Sequence, residues 1–490
     1  RVDNKKEKPI SFKKRRRWVF FYLKKVIMSI TAPFDIVADL DTPVSAFLKL
    51  HDLQPRFLLE SVESGERLAR YSFLGFGDVI KIKLDHKGLH IDSKIKPAPK
   101  NKKQYLTTLR EILESSPKLQ PSINEVPFSG GIVGVSGYDV VRFFENIPKK
   151  TKSPENLPQA VFVIPTSVLV FDHLTRRLAL LHSGSESERI KLRNKVSHLL
   201  RGAIPSNFGE VKLDLPKPLM SEEEFTDRVR ECKKWIDSGD IYQIVLSVVF
   251  RGRSNVQPFE VYRAMRLLNP SPYMFYFNFD DIQVAGSSPE ALVKLNGNKA
   301  SLRPIAGTRP RGNSPEEDDE MASILLADPK ESAEHVMLVD LARNDLGRVA
   351  EKGTIKVEPY RSIERYSHVM HIVSGVKGKL NRGKDAFDLF SASFPAGTLV
   401  GAPKIRAMEI IEEMEIEGRG LYGGTAGYFD INGDMDQAIT IRTIVFQGDS
   451  YSFQAGAGIV KDSDPSSEYA EVFAKSEILK KALKMAGERL

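Results

Sequence analysis

From about Phe57 to Ile91 the chain alternates short apolar runs with glycine-containing turns. Arg56-Phe-Leu-Leu-Glu60, Tyr71-Ser-Phe-Leu-Gly75 and Val79-Ile-Lys-Ile-Lys-Leu84 are rich in β-branched and aromatic residues, a pattern that predicts strands. Residues 104–115 carry apolar positions at helical spacing instead. Residues 130–138 read as a glycine-dense strand that leads into an acidic and aromatic segment, and 161–170 with 178–182 read as a hairpin. A charged helix and a proline-punctuated linker fill residues 183–220. Ser221-Glu-Glu-Glu224 is a capping-box start for a helix reaching about Ser238. A continuous apolar strand follows at 241–251, further strands at 427–431 and 438–447, and a closing helix at 465–490. Hairpin-like strands among the helices argue against a regular βαβ repeat. The expectation is an α+β protein on antiparallel sheets, divided into residues 1–27, 28–215 and 216–490.

Composition narrows this further. With 41% hydrophobic and 28% charged residues, 490 residues can bury a large core. The single cysteine, Cys232, excludes an internal disulfide, a cysteine-rich zinc site and a CxxC redox motif. A reducing, cytoplasmic setting is expected. The net charge of +8 resides in residues 1–27, which hold eleven Lys/Arg against Asp3 and Glu7 and leave the remainder at −1. The folded part therefore lacks the basic surplus that nucleic-acid binding needs. In the arm the longest apolar run, Trp18 to Leu23, is too short for a signal-peptide core or a membrane span. The arm reads as an appended leader with the domain starting near Met28; a transit peptide or membrane-surface helix is the alternative. Neither a nucleic acid nor a membrane is expected as a partner.

One local pattern occurs twice. Asp328-Pro-Lys-Glu-Ser-Ala-Glu334 and Asp464-Pro-Ser-Ser-Glu-Tyr-Ala-Glu471 each put Asp-Pro at a helix start, where Asp caps free N–H groups and Pro suits the first turn. Each then presents two glutamates three apart, Glu331/Glu334 and Glu468/Glu471, on one helix face. Solvated acidic faces are the plain explanation of either pair alone. Ile324, Leu325, Val336, Met337, Val472 and Phe473 suggest that both helices are instead packed on the core. Four converging carboxylates would repel unless a hard cation such as Mg²⁺ lay between them. Segments rich in Gly and Thr, including Gly307-Thr-Arg-Pro-Arg-Gly312 and Gln454-Ala-Gly-Ala-Gly458, could bring backbone N–H groups close to an anion, and Arg442 or Lys475 could pair with a carboxylate.

Read in order, a longer set of strings resembles the chorismate-utilising enzymes, most closely their anthranilate synthase large-subunit branch. These are Leu58-Leu-Glu-Ser61, Asp240-Ile-Tyr-Gln243, Asn269-Pro-Ser-Pro-Tyr-Met274, Ser288-Pro-Glu290, Arg303-Pro-Ile-Ala-Gly-Thr-Arg-Pro-Arg311, Leu338-Val-Asp-Leu-Ala-Arg-Asn-Asp345, Phe394-Pro-Ala-Gly-Thr398, Tyr422-Gly-Gly424 and Ala455-Gly-Ala-Gly-Ile459. The resemblance implies an antiparallel β-sandwich flanked by helices, with the active site in a cleft. It implies that Glu334 and Glu471 ligate Mg²⁺ directly and that Glu331 and Glu468 act through its water. It assigns Gly307, Thr308, Thr398, Gly401, Tyr422, Arg442, Ala457, Gly458 and Lys475 to substrate. It makes Glu290 the acid for the departing hydroxyl and His371, with Thr398 beside the reaction, the group next to the reacting ring carbon. The implied reaction joins ammonia to chorismate and releases anthranilate and pyruvate.

Two positions separate the sister enzymes. Gln243 stands where water-activating relatives carry a lysine, and Ala306 where aminodeoxychorismate synthases carry a lysine that can bond to substrate. Cys232 lies mid-helix rather than at a glutaminase elbow, so ammonia is expected from a separate glutamine amidotransferase subunit. Glu60, Ser61, Asn269, Pro270, Tyr273 and Met274 resemble the family's tryptophan feedback site. Val248-Val249 and Lys461 depart from the family pattern. The rival readings are a sister enzyme making aminodeoxychorismate, isochorismate or salicylate, and a non-enzymatic, basic-armed interaction protein.

Overall fold

The computed structural model describes residues 33–61, 70–152, 157–205, 209–312, 314–366 and 369–488; the basic leader lies outside them. The architecture grows from one long hairpin. Strands Tyr71–Asp85 and Ala160–Asp172 pair along almost their whole length, with an irregularity between Phe76 and Val79. Their two halves serve different neighbours. Near one end Tyr71–Asp85 pairs with Pro55–Glu60, and residues 167–172 pair with Arg177–His182. Near the other end residues 160–163 pair with Gly131–Ser136.

Each end extends into a layer. One runs from Pro55–Glu60 through Tyr273–Asn278, Gln283–Ser288, Thr443–Gln447 and Ser450–Ile459 to Gln243–Arg253. The other runs from Gly131–Ser136 through Thr425–Asp430 and Met435–Ile439 to Ala291–Asn296. All these pairings are antiparallel, and strands from both halves of the chain interleave in one curled sheet of twenty-one strands among the described residues.

Period-two alternation decides what each face meets. Phe57, Val168, Val170, Phe275, Phe277 and Val445 from one layer share a core with Val133, Val135, Val161, Val163 and Tyr428 from the other. Their sequence neighbours Leu58, Leu169, Phe171, Met274 and Tyr276 turn outward into a second core, with Phe259 and Tyr262 of helix Pro258–Leu268 and Val472 and Leu479 of helix Pro465–Gly487. This is the expected sandwich with helices on its outer faces. Separately, strands Ile305–Pro310, Val369–Val373 and Ser362–Arg365 form a three-stranded sheet. Helices Pro315–Ala327 and Pro329–Gly347 pack near it, and Leu325, Met370 and Ile372 fill the small core between.

Four local expectations change. The segments 71–75 and 79–84 are one strand with a bulge, because the partner strand continues past the irregularity. The strand expected at 438–447 breaks between Ile439 and Thr443, where Arg442 adopts a left-handed φ of 48°. Ile324 and Leu325 belong to the helix that ends at Asp328, and Asp328 then caps the next. Leu325 and Val472 are buried as expected, but Ile324 and Val336 are exposed, because packing uses only one face of each helix.

One buried ion pair ties the elements below the site. Arg419, 1% exposed, donates to Glu415 at 2.7 and 3.0 Å, to the Val245 carbonyl at 2.8 Å and to the Leu399 carbonyl at 2.5 Å. Glu415 also accepts from the Ser247 amide at 3.0 Å and its hydroxyl at 2.6 Å. The guanidinium lies against the rings of Tyr138 and Tyr422, 4.9 and 5.6 Å from their centroids. Arg419→Met strands the Glu415 charge in the interior and is expected to cost about 3–5 kcal/mol. Arg251→Ala, at the exposed Arg251–Glu417 pair, should cost about 1 kcal/mol or less. Urea denaturation of the two variants checks the contrast.

Candidate active site

Glu290 sits between strands Gln283–Ser288 and Ala291–Asn296, its carbonyl accepting from the Ile439 amide at 3.0 Å. The Thr398 hydroxyl donates to its carboxylate at 3.0 Å. Burial pushes the carboxyl up to about 7, outweighing the Thr398 bond and the Lys475 charge that pull it down. A group so poised carries a proton in a substantial fraction of molecules at neutral pH.

His371 lies on the central strand of the small sheet, directly across from Glu364. Its Nδ1 is 2.8 Å from the Gly307 carbonyl and 3.2 Å from the Thr308 hydroxyl. A carbonyl only accepts, so Nδ1 bears the hydrogen and Nε2 keeps its lone pair. Burial holds the imidazole's pKa below its ordinary value, with the Arg442 charge acting the same way and the Gly307 bond and Glu364 opposing. His371 is thus a neutral base with a fixed tautomer. Gly307, at φ 69°, lets this loop close on the acidic helix: a Cβ there would lie 3.0 Å from Glu331 Oε2.

Arg442 is the cation of the site. Its backbone is pinned by the Ser287 amide donating to its carbonyl at 3.1 Å. Burial alone lowers the pKa of its guanidinium, and among the described residues no carboxylate pairs with it. A dehydrated charge without an acid partner is a ready anion site. Lys475 donates to the Gly456 carbonyl at 3.1 Å and pairs with Glu471 at 2.7 Å, the intrahelical pair that its spacing allows. Its charge lowers the pKa of Glu290, Glu334 and Glu468, against the larger effect of burial in each.

The glycine-rich strands form the floor. Gly458 and Ala457 pair with Val245 and Leu246, and Gly401 with Ile244. A Cβ on Gly458 would lie 2.7 Å from Gln243 Nε2, so a side chain there would displace the Gln243 amide. The Tyr422 hydroxyl abuts Gly456, 2.7 Å from where its Cβ would stand. Gln243 and Ala306 are both buried, Ala306 opposite Ile372, the residue that follows His371 on its strand.

Both acidic helix starts form as read. Asp328 accepts from the amides of Lys330 and Glu331 at 2.9 and 3.2 Å, and Asp464 from that of Ser467 at 2.9 Å. Burial raises the pKa of Glu334, and Glu331 and Glu471 raise it further by like charge. Burial likewise raises that of Glu468, with Glu471 adding to it and a Ser463 bond opposing. Glu331 is 3.4 Å from Arg309. Among the described residues no three His, Cys, Asp or Glu side chains are gathered into a metal site. The donor set still suits a hard divalent ion: four carboxylates and no sulfur or imidazole, with Glu334 sensing acids from both helices.

A second cavity, of about 360 Å³, is lined by Glu60, Ser61, Tyr273 and Met274, with Phe73 and Tyr428 among its walls. Glu60 is buried, accepting from Tyr262 at 2.5 Å and pairing with Arg266 at 3.2 Å. Asn269 and Pro270 do not line this cavity. The Asn269 amide donates to the Ser271 and Ser287 hydroxyls at 3.3 and 3.2 Å, bracing the turn, and Pro270 is exposed. Val248 is buried and Val249 half-buried, while Lys461 is exposed and 3.6 Å from Asp237. Sequence reasoning missed Glu364 and Tyr366, which flank His371 only through cross-strand pairing and ring contact.

Residues 54–481 match the chorismate binding enzyme family. The chain is 43% identical over 469 residues to anthranilate synthase component 1 of Aquifex aeolicus, covering 93% of this chain and 94% of that protein. It is also 43% identical over 454 residues to anthranilate synthase component 1 of Thermus thermophilus, covering 92% and 97%. Among solved structures, anthranilate synthase component I of Streptococcus pneumoniae superposes with a TM-score of 0.76 at 36% identity, covering 86% of this chain and 94% of that one. The menaquinone-specific isochorismate synthase of Escherichia coli, at 20% identity and a TM-score of 0.68, shares the fold. With the match spanning nearly the whole described chain, the protein belongs to the chorismate binding enzyme family.

Proposed function

We propose that the chain is the chorismate-binding subunit of an anthranilate synthase. It joins ammonia to chorismate and yields anthranilate, pyruvate and water, the first committed step of tryptophan biosynthesis. The observation that carries this reading within the family is the pair Gln243 and Ala306. Both are buried beside the candidate site, where sister enzymes carry a lysine. An amide and a methyl can neither activate water nor bond to substrate, which leaves an already nucleophilic amine as the attacking group.

In this mechanism Arg442 and Lys475, with Tyr422 and the backbone of Thr398, Gly401 and Gly458, grip the two carboxylates of chorismate. Glu334 and Glu471, supported by Glu331 and Glu468, would hold Mg²⁺, which when bound withdraws electron density from the conjugated ring through its carboxylate. Ammonia bonds to the ring carbon next to the carboxylate-bearing one. Glu290 passes its proton to the departing hydroxyl, which leaves as water; Thr398 keeps the carboxyl aimed. The added nitrogen sheds its surplus proton, and His371 Nε2 then takes the proton from the carbon bearing nitrogen as the ring C–O bond to the enolpyruvyl group breaks. The enolpyruvate takes up a proton on its methylene carbon to become pyruvate, and the ring becomes aromatic.

Cys232 is buried mid-helix, and desolvation pushes its thiol up to about 12, so it supplies no thiolate for glutamine hydrolysis. Ammonia therefore comes from a separate glutamine amidotransferase subunit, in keeping with the relatives' designation as component 1. The second cavity takes tryptophan as a feedback inhibitor, its indole against Tyr273, Met274 and Phe73. Among the described residues no helix is long and apolar enough to cross a membrane, and a cytoplasmic location is part of the proposal.

Mixing the chain with chorismate, Mg²⁺ and ammonium should produce anthranilate, recognised by fluorescence and mass. Aminodeoxychorismate, isochorismate or salicylate as the product would overturn the assignment. The acid role of Glu290 sets a pH dependence. Only the protonated form works, and it is lost as pH rises through about 7. The kcat/KM for chorismate, expressed per unprotonated ammonia, should therefore fall about tenfold per unit above that point. Glu290→Gln should lower it by roughly 10²–10⁴-fold and flatten that limb. Millimolar tryptophan should inhibit turnover, and Tyr273→Ala should relieve the inhibition by about tenfold through lost apolar contact.

A further inference from the structure

Arg303 stands in the wall between two cavities. On one side is the space beneath Glu290 and Thr398, and on the other the larger cavity of Glu60, Ser61, Tyr273 and Met274. Its guanidinium is ion-paired with Glu364. Glu364 lies directly across the small sheet from His371 and accepts from the Tyr366 hydroxyl at 3.1 Å. The Tyr366 ring in turn meets the His371 imidazole edge-on, their centroids 5.5 Å apart. Other charged groups at the larger cavity are paired outside the small sheet. Glu60 is held by Tyr262 and Arg266, Lys294 by Asp436 at 2.8 Å, and Arg70 by Asp172 at 2.8 Å. Arg303 differs in that this carboxylate partner belongs to the sheet that carries the catalytic base.

We infer that Arg303 is a positioning residue for His371 and the link through which an amino acid in the larger cavity slows the reaction. The inference rests on the tryptophan reading above and deepens it. Its chemistry is an exchange of carboxylates. An amino acid entering the larger cavity brings a second anion within reach of one guanidinium, and as the guanidinium turns toward it the grip on Glu364 loosens. Glu364 and Tyr366 then hold the imidazole less firmly against Gly307, and Nε2 is no longer presented to the substrate. An effector acts only through a difference in its contacts between two states, and the shared guanidinium supplies that difference.

The test uses the full chain with ammonium as nitrogen source and two independent readouts, tryptophan binding by calorimetry and inhibition of anthranilate formation. In Glu364→Gln, which lies outside the larger cavity, the tryptophan Kd should hold or tighten, since the guanidinium no longer leaves a carboxylate to take the ligand, while the half-inhibiting concentration rises about tenfold or more. The kcat should fall with the KM for chorismate held. Arg303→Met, which removes the group that takes the ligand's carboxylate, should weaken tryptophan binding and inhibition together and lower kcat as Glu364→Gln does, and Arg303→Lys should recover part of each. If binding and inhibition shift together in Glu364→Gln, or neither shifts, the inference is overturned. If the unaltered chain binds no tryptophan, the effector reading falls, and the split between kcat and KM in Glu364→Gln still decides the positioning role.

Discussion

The candidate site depends on a charge that cannot reach water. Arg419 and Glu415 are buried together below the glycine floor, and each is satisfied only because several elements arrive at the same point. The guanidinium takes carbonyls from the strand at Val245 and from the turn at Leu399, while Glu415 takes the Ser247 amide and hydroxyl. A buried ion pair of this kind repays its dehydration only when the geometry is nearly complete. The strand that pairs with Gly458, the turn after Thr398 and the ring of Tyr422 are therefore fixed relative to one another by a single polar knot.

Around that knot several charges are left incompletely matched. Among the described residues Arg442 has no carboxylate partner, Glu290 is protonated in part because it is buried, and Glu334 sits where other acids repel it. Each arrangement costs stability in the absence of a ligand and is offset by the packing of the two large cores. An anionic substrate and a divalent ion would cancel these costs together, since one supplies negative charge to Arg442 and the other positive charge to the acids.

What could be read from the chain was what is local. The capping box at Ser221 forms, with Ser221 Oγ accepting from the Glu224 amide at 3.2 Å and Glu224 accepting from the Ser221 amide at 2.8 Å. Asp328 and Asp464 cap their helices for the same reason: donor and acceptor are three residues or fewer apart. The strands at 56–60, 161–170 and 178–182 announced themselves by composition. Illegible were features created by distant chain. Glu364 faces His371 because of a sheet register, the break before Thr443 exists because Arg442 must turn, and Ile324 is exposed because its helix offers the sheet its other side. Asn269, read with the effector segment, braces a serine turn that no spacing rule reveals.

The hairpin of Tyr71–Asp85 and Ala160–Asp172 has a last consequence. As it is common property of both layers, the chain cannot be cut near residue 215 into self-sufficient pieces. Tyr273–Asn278 would lose Pro55–Glu60, and Thr425–Asp430 would lose Gly131–Ser136. The carboxyl-terminal fragment would carry every group proposed for the chemistry yet expose two bare strand margins, an invitation to intermolecular pairing rather than to solubility.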